Sequence, residues 1–291
     1  MANELTNTEL DPHVPENWRP RLVERFYDTR QVTPRFLNAT GDYEDHGGKG
    51  DIANIAVEGF DLTVNDVGAT DGSLTVQTQT LTNIALNVNK WKESTMEIIG
   101  KTRAQAFDLW EKQFPVSAGN AIRRKMTSDL LDLIRADATL TAQGDGTGNL
   151  GENEVLGGIQ AHMDQGFPID ENPEDWTFIL HTSQFSPLKK LNLLDFDKTG
   201  EAGAGGAATI KLPKLYDIPV IFSTQVAQNN GIRYGGLAHK TAMAWAAQQN
   251  VEPRFADRLA AAKLSYLMTV SCLYGVKTVV AGRMNQMLSK A

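Results

Sequence analysis

The sequence predicts an α+β protein, and three observations along the chain lead to that fold class. Short segments with strand-like alternation occupy residues 50–89. A long amphipathic helix is predicted from Val116 to Ala138. Residues 175–225 then alternate strand, helix and strand, an order that favours a mixed α/β layer. With 291 residues, 41% of them hydrophobic, the chain can bury one large core or two modest ones.

Charge and composition exclude several classes of function. The 28 Lys and Arg residues against 35 Asp and Glu give a net charge of -7, which is opposite in sign to that of proteins gripping a phosphate backbone. No run of about 18 apolar residues occurs, so no membrane span is expected. The segment Met1 to Leu10 is polar and lacks the features of an export signal. The single cysteine, Cys272, excludes an internal disulfide framework and lies in an apolar alternation, where we expect a buried thiol.

Residues 1–48 predict an extended arm, because they are rich in Asn, Thr, Pro, Asp and Gly and their apolar residues are scattered. A short amphipathic helix is predicted from Glu16 to Asp28. Its apolar positions are Trp18, Leu22, Val23, Phe26 and Tyr27. That apolar face could dock on the body of the same chain or on a neighbouring subunit, and the residues leave both alternatives open.

Residues 50–89 predict a long β-hairpin with the turn "GATDGS" in the middle. Its apolar positions are Ile52, Ile55, Val57, Leu62, Val64, Leu74 and Val76, with Thr78 continuing the last strand. A hairpin that is polar between its apolar positions is marginal alone, so a partner surface would help to hold it. A plain edge hairpin of a globular sheet is the alternative.

Two helices are predicted next, from about Glu93 to Phe114 and from Val116 to Ala138, with Pro115 suited to a helix start. The second helix would be roughly 34 Å long at about 1.5 Å per residue. Its predicted buried positions are Ala118, Ile122, Met126, Leu130, Leu133 and Ile134, and its predicted solvent side carries Arg123, Arg124, Lys125, Asp129 and Asp132. The basic cluster is either a solvated face or an ionic contact between subunits.

The spacing Gly146-x-Gly148-x-x-Gly151 matches the dinucleotide-binding fingerprint only as a string of letters. That fingerprint needs a strand before the glycines and a helix N-terminus after them, whereas a long helix precedes them here. The segment also lacks the Gly-Lys-Ser/Thr ending of a phosphate loop. We therefore expect no nucleotide site at these glycines.

The last part of the chain predicts strands and helices in turn. Trp176–Leu180 is predicted as a strand, Thr182 to Leu194 as a short helix, and Leu215 to Ser223 as a strand. The Gly/Ala-rich "DKTGEAGAGGAATIKLPK" between them predicts a mobile loop. A helix is predicted from His239 to about Ala262, followed by a strand from Leu264 to Tyr274-Gly275.

The chain carries few candidates for chemistry. Its histidines are His13, His46, His162, His181 and His239, and none has the spacing of a metal-binding pair. His181 lies beside Ser183, but no Asp or Glu at a telling position completes a triad. We therefore expect no catalytic residues, no cofactor and no metal, and a protein that is not an enzyme.

Several segments together resemble the major capsid proteins of tailed phages, which have the Hong Kong 97-type fold. The closing segment "GLAHKTAMAWAAQQNVEPRFADRLAAAKLSYLMTVSCLYGVKTV" resembles the carboxy-terminal part of that family. Gly50-Asp51 and Gln77-Thr78-Gln79 resemble the two strands of its extended loop. Gly146-Thr147-Gly148 with Gly158-Ile159 resembles the turn after its spine helix, and "WTFILHTSQFSPLKKL" resembles the start of its axial domain. The segments occur in the family's order, which carries more weight than any single motif.

The resemblance implies an organisation by segments. It implies an N-terminal arm at 1–48, an extended β-hairpin loop at 49–90, and a peripheral domain with the spine helix at 91–160. An axial α/β domain at 161–235 and a closing helix with strands at 236–291 complete it. Subunit contacts are expected from the arm, the loop and the basic cluster of the spine helix. The candidate contact residues are Trp18, Phe26, Tyr27, Lys49, Asp51, Asp61, Arg123 and Arg124.

The resemblance also implies a function. Copies of the chain would assemble as pentamers and hexamers into an icosahedral head that encloses double-stranded DNA without reading its sequence. The protein would lie in the virion after assembly in the host cytoplasm, with portal, scaffolding and cement proteins as possible partners and no membrane. An encapsulin-type nanocompartment shell, which shares the fold, is the alternative. An unrelated α/β enzyme with a ligand pocket is the rival from another class.

Overall fold

The computed structural model describes residues 32–40, 51–58, 64–67, 76–77, 81–167, 169–191, 213–257 and 265–290. The predicted arm helix from Glu16 to Asp28 and most of the Gly/Ala-rich loop lie outside these ranges. Within them, no helix is both long and apolar enough to cross a membrane.

The described elements alternate between strands and a few helices. The strands are β1 (Leu37–Asn38), β2 (Ile52–Glu58), β3 (Leu81–Asn87), β4 (Lys90–Ile99), β5 (Leu140–Gln143), β6 (Trp176–His181), β7 (Lys214–Leu215), β8 (Ile218–Ser223), β9 (Ala227–Asn229), β10 (Ile232–His239), β11 (Met243–Asp257), β12 (Ser265–Thr278) and β13 (Met284–Lys290). The α-helices are α1 (Gly100–Asp137), α2 (Glu152–Met163) and α3 (Phe185–Lys190). Short 3-10 turns are Thr33–Arg35, Pro173–Asp175, Thr182–Gln184 and Ala281–Arg283.

A four-stranded sheet, in the order β1-β11-β12-β4, corrects the predicted closing helix. Residues from Met243 to Asp257 form β11, which pairs antiparallel with β12 along most of its length. The Ala-rich sequence has high helix propensity, but pairing with a long neighbouring strand and burial of Ala244, Ala246 and Ala247 outweigh it. The predicted strand from Leu264 to Tyr274-Gly275 is confirmed by β12 from Ser265 onward.

The seven-stranded sheet confirms the predicted βαβ order. Its strands follow the order β5-β13-β10-β6-β8-β7, with β9 pairing to β10. Strands β6 and β8 pair in parallel, joining Phe178 to Val220 and His181 to Ser223. The predicted helix between them is present but shorter, because it consists of the 3-10 turn Thr182–Gln184 followed by α3.

The hairpin predicted over residues 50–89 is confirmed at its base. Strands β2 and β3 pair antiparallel from Ile52 opposite Asn87 to Glu58 opposite Leu81. One face of the hairpin packs on the four-stranded sheet, and that contact buries Ala39, Ala53, Ile55, Leu86, Val88, Ala244 and Ala246. Residues 64–67 and 76–77 are described without regular secondary structure, so the predicted strand is not seen at Val64 or Val76.

Helix α1 is one helix through Pro115, which corrects the predicted pair of helices. The segment from Glu93 to Ile99 belongs to β4, where ten residues pair with β12. A proline inside a helix removes a hydrogen bond, and here packing of Phe114 and Ala118 on the sheet offsets that cost.

The predicted apolar face of α1 is confirmed and contacts both sheets in turn. Its middle part buries Ala118, Ile122 and Met126 beneath the four-stranded sheet, against Val270, Cys272 and Tyr274. Its last part buries Leu130, Leu131 and Ile134 against Ile179, Ile221, Ala238 and Met284 of the seven-stranded sheet, with Leu133 partly buried. Helix α1 therefore packs on the two sheets together. The expectation that Cys272 is buried is also confirmed.

The opposite face of the seven-stranded sheet carries a second core. Alternation along the strands directs Phe178, Leu180, Val220 and Phe222 away from α1. Their partners in that core include Val155 of α2, Leu188 of α3, Trp176 and Leu237.

The glycine-rich segment after α1 forms the predicted turn at its beginning. Gly144 and Gly146 have φ of +87° and +73°, a backbone conformation that other residues rarely adopt. The expected second turn at Gly158-Ile159 is wrong, because Gly157 and Gly158 lie inside α2. Gly158 permits close packing there, since an added Cβ would lie 3.1 Å from the Asn285 side-chain nitrogen.

Candidate assembly surfaces and the sheet junction

Three of the predicted contact residues lie in the described ranges. Asp51 is exposed at the base of the hairpin, where its carbonyl oxygen accepts a hydrogen bond from the Val88 amide at 2.8 Å. Arg123 is exposed on α1, and Arg124 beside it is half-buried. The other five, Trp18, Phe26, Tyr27, Lys49 and Asp61, lie outside the described residues.

Apolar side chains are exposed along the outer part of the hairpin. Val64 is 99% exposed and Val76 is 89% exposed, and Val67 between them is also exposed. Single exposed apolar residues are normal, but several close together in the sequence are typical of a surface that contacts a partner.

Trp91 is an exposed indole that sequence reasoning missed. It is 72% exposed on β4, where it lies opposite Leu273 of β12. Its neighbour Lys90 reaches Asp129 of α1, so the alternation of the strand directs Trp91 to the face of the sheet away from α1. The signal that could have found it is the alternation of residues around Trp91. This stretch was assigned to neither the predicted hairpin, which ended at residue 89, nor the predicted helix, which began at Glu93.

Asp129 was predicted on the solvent side of α1, but the structure places its side chain where three elements meet. Its side chain is only 12% exposed, and its carboxylate accepts hydrogen bonds from Lys90 at 3.1 Å and from the Tyr274 hydroxyl at 2.9 Å. Lys125 forms an ion pair with it at 2.8 Å. Burial acts to raise the pKa of Asp129, but the bonds from Lys125, Lys90 and Tyr274 outweigh burial and lower it. The result is a tie between α1, β4 and β12.

The two sheets are joined by two short crossovers. Residues 240–242 connect β10 to β11, and residues 279–283 connect β12 to β13. His239 ends a strand and does not open a helix as predicted. Its Nδ1 accepts a hydrogen bond from the Thr241 amide at 3.2 Å and contacts the Thr241 hydroxyl at 2.8 Å. Burial lowers the pKa of His239, and Arg283 lowers it further.

His162 is buried in an aromatic cluster at that junction, and sequence reasoning did not single it out. Its ring centre lies 4.6 Å from that of Trp176, whose other neighbour is His239 at 5.0 Å. Burial lowers the pKa of His162 to about 4, against smaller raising effects of the Leu237 backbone and the Asn285 side chain. The signal that could have found it is the helical spacing Val155, Ile159, His162, which places the imidazole on the buried face of α2.

His181 lies at the end of β6 opposite Trp176, and there it contacts Ser183. His181 Nδ1 accepts a hydrogen bond from the Ser183 amide at 3.0 Å and contacts the Ser183 hydroxyl at 2.9 Å, so the ring caps the turn after β6. Burial lowers the pKa of His181, and the nearby positive charge of Arg233 lowers it further. Over the described ranges, no group of three or more His, Cys, Asp or Glu residues is placed to hold a metal ion.

Comparison with known proteins finds similarity in structure and not in sequence. No family model matches the chain, and no curated protein matches it. The capsid of a native GTA particle superposes with a TM-score of 0.70 over 100% of both chains at 11% identity. A chain of Mycobacterium phage Che8 matches with a TM-score of 0.67 at 16% identity, covering 94% of this chain and 96% of its own.

The capsid of the cyanophage P-SCSP1u matches with a TM-score of 0.64 at 13% identity, over 99% of this chain and 96% of its own. The chain has the phage capsid fold. The α+β fold class and the capsid-type architecture predicted from the sequence are therefore confirmed. The capsid fold includes both sheets of this chain, because the superposition covers it almost from end to end.

Proposed function

We propose that this chain is the major capsid protein of a tailed phage. Its copies would assemble as pentamers and hexamers into an icosahedral head that encloses double-stranded DNA. The observation that carries the proposal is the likeness to the capsid of a native GTA particle over the whole of both chains. The function would be geometric, since the protein would act by tiling a closed surface.

The organisation by segments is part of the proposal. Residues 1–48 would be the arm and 49–90 the extended loop, with the spine helix in 91–160. Residues 161–235 would form the axial domain and 236–291 the closing part. Helix α1 packs continuously on both sheets. This packing supports a subunit that behaves as a single body, so that a contact at one end affects the other end.

We propose that subunit contacts come from the hairpin and from α1. The exposed side chains of Val64 and Val76 would bury apolar area on a neighbouring copy. Exposed Arg123 on α1 and exposed Asp51 at the hairpin base supply charges of opposite sign, as expected for complementary edges of identical subunits. Arg124 and Lys49 would add to the basic partner and Asp61 to the acidic one. Trp18, Phe26 and Tyr27 of the arm would contribute an apolar contact.

The partners and the location follow from the proposed role. The enclosed DNA would be held without sequence specificity, in keeping with a net charge of -7. Portal, scaffolding and cement proteins are the further partners of such a shell. The protein would lie in the virion after assembly in the host cytoplasm, and it would act as a structural protein without catalysis.

Negative-stain electron microscopy with size-exclusion chromatography tests the proposal on the purified protein. Closed shells, tubes or discrete five- and six-membered rings are the expected result. A uniform monomer or dimer that persists across salt and protein concentration would contradict it. Nuclease-protected DNA in particles from the native source would support a phage head, whereas particles holding a protein cargo would indicate an encapsulin-type compartment instead.

A further inference from the structure

The junction between the two sheets is held by a specific set of polar bonds. The Arg283 guanidinium donates to the Thr241 hydroxyl at 2.6 Å, so the two crossovers are bonded to each other. The Val279 amide donates to the Ala242 carbonyl at 2.8 Å, and the Lys240 amide donates to the Asp175 carbonyl at 2.9 Å. These bonds fix the crossovers against the start of β6.

A stack of rings extends this junction to helix α2. His239, the last residue of β10, packs edge-on against Trp176, and Trp176 packs against His162 near the end of α2. The ring centre of Phe167 lies 6.1 Å from that of Trp176 and 6.3 Å from that of His162. The Arg283 guanidinium lies 5.7 Å from the centre of the Phe167 ring. His162 therefore couples the end of α2 to His239 through Trp176, and Phe167 couples the segment after α2 to Arg283 of the second crossover.

His162 is suited to this position only while it is neutral. Its exposed fraction is 0%, and neither ring nitrogen makes a hydrogen bond of normal geometry to any described residue. A protonated imidazole donates from both nitrogens and needs two acceptors. The Leu237 backbone and the Asn285 side chain favour the charged ring, but burial outweighs both. Asn285 also uses its oxygen for the Leu237 amide at 3.0 Å and its nitrogen for the Gly158 carbonyl at 3.3 Å.

The charged groups around the stack offer no compensation for a proton on His162. His239 from β10 opposes the charge, and Arg283 from the second crossover carries a positive charge of its own. Asp175 before β6 forms an ion pair with Lys240 at 2.8 Å. The facing residues of β13 are the neutral Asn285 and Met287. A buried charge without a partner is strongly unfavourable, so the neutral ring holds the stack closed and the charged ring would oppose it.

We propose that the stack of His162, Trp176 and His239 is an acid-released clamp on the junction between the two sheets. Protonation of His162 opens the end of α2 and the two crossovers locally, while the four-stranded sheet stays closed. The proposal rests on contacts within one subunit and is therefore independent of the proposed capsid function.

The size of the effect follows from proton linkage. Opening exposes His162 to water, where its pKa returns to its ordinary value of 6.5 from about 4 in the closed state. The equilibrium constant for local opening should then rise about 20-fold between pH 7 and pH 5. The depressed folded-state pKa sets the sign: the clamp is fully closed above pH 6.5 and weakens as the pH falls toward 4.

Hydrogen exchange read by mass spectrometry tests this on the protein in the form in which it purifies. We expect the exchange rate to rise roughly 20-fold between pH 7 and pH 5 in peptides covering 160–167, 237–242 and 279–284. This rise is measured after correction for the intrinsic pH dependence of exchange. Peptides from β4 and β12 should show none. His162→Phe keeps a ring that cannot take a proton and should abolish the rise. His181→Gln removes a histidine at the opposite end of β6 and should leave it intact.

Two results would overturn the proposal: a rise that is absent or equal in all peptides, or an unchanged rise in His162→Phe. If that variant fails to fold, His239→Asn provides the second test, because the rise should persist when His162 is the only histidine left in the stack. Loss of the rise in His239→Asn would assign the proton to His239 and refute the role of His162.

Discussion

Asp129 ties α1 to the four-stranded sheet, and replacing it with alanine tests how much that tie contributes to stability. The substitution leaves the hydroxyl of Tyr274, a residue that is 0% exposed, without its acceptor. An unpaired buried polar group costs about 1–3 kcal/mol. The pairs with Lys90 and Lys125 are partly exposed and add about 0.2–1 kcal/mol each. We expect Asp129→Ala to lower the free energy of unfolding by roughly 3 kcal/mol, most of it through Tyr274.

Denaturant unfolding with a double-mutant cycle measures this directly. Tyr274→Phe removes the donor and leaves Asp129 paired with its lysines, so it should cost about 1 kcal/mol. The double variant should be more stable than the sum of the single effects predicts, with a coupling energy of about 1–2 kcal/mol. Asp132→Ala is the matched control, since Asp132 is 50% exposed in an ion pair with Arg135 and should change stability by about 0.5 kcal/mol or less.

The pH dependence adds an independent check on the same residue. The pKa of Asp129 lies below its ordinary value of 3.8, so its contribution is present above pH 3.8 and is lost as the pH falls through the folded-state pKa. The stability difference between wild type and Asp129→Ala should therefore shrink in acid. The reasoning is refuted if Asp129→Ala costs no more than Asp132→Ala, or if the cycle is additive within about 0.5 kcal/mol.

Three further substitutions or reactions test other parts of the structure. Gly275→Ala should lower the free energy of unfolding by about 1–3 kcal/mol and speed hydrogen exchange in the hairpin, because the added carbon meets the Asn87 carbonyl oxygen. Gly282→Ala is the control and should leave stability unchanged, because no atom lies within 4 Å of the added carbon. We expect the exposed indole of Trp91 to contact a neighbouring copy, so Trp91→Ser should leave the melting temperature nearly unchanged and reduce particle yield in sedimentation. Normal particle yield would contradict this expectation. Cys272 should resist alkylation until the protein is denatured, since burial raises the pKa of its thiol, and rapid labelling of the native protein would contradict its placement.

Much of the local structure could be predicted because its signal lies within a few residues. The spacing of Ala118, Ile122, Met126 and Leu130 predicted the buried face of α1, and these residues are buried. The apolar run from Trp176 to Leu180 predicted a strand, and β6 pairs between two other strands of its sheet. In both cases, neighbouring positions along the chain share one environment, so local periodicity is sufficient.

The errors occurred where local propensity and distant pairing disagree. Residues 243–257 are rich in alanine and predicted a helix, yet they form β11 because β12 pairs along them. Glu93 to Ile99 likewise pairs with residues 265–271 of β12, more than 150 positions later. Pro115 predicted a break, but α1 continues through it on the surface that the sheets provide. Helix propensities of most residues differ by less than about 1 kcal/mol and a proline inside a helix costs about 3 kcal/mol, and burial against a sheet outweighs both here.

The surfaces and the junction also contain some features that the local sequence predicts and others that depend on contacts between distant segments. Exposure of Arg123 could be expected from its place opposite the apolar face of α1, and the resemblance of several segments to one family, in that family's order, was enough to predict the capsid fold. The burial of Asp129 by Tyr274 and the stack of His162 on Trp176 depended on elements that meet only after folding. A side chain's pKa and exposure are set by all the groups packed around it in space, and most of those groups are distant in sequence.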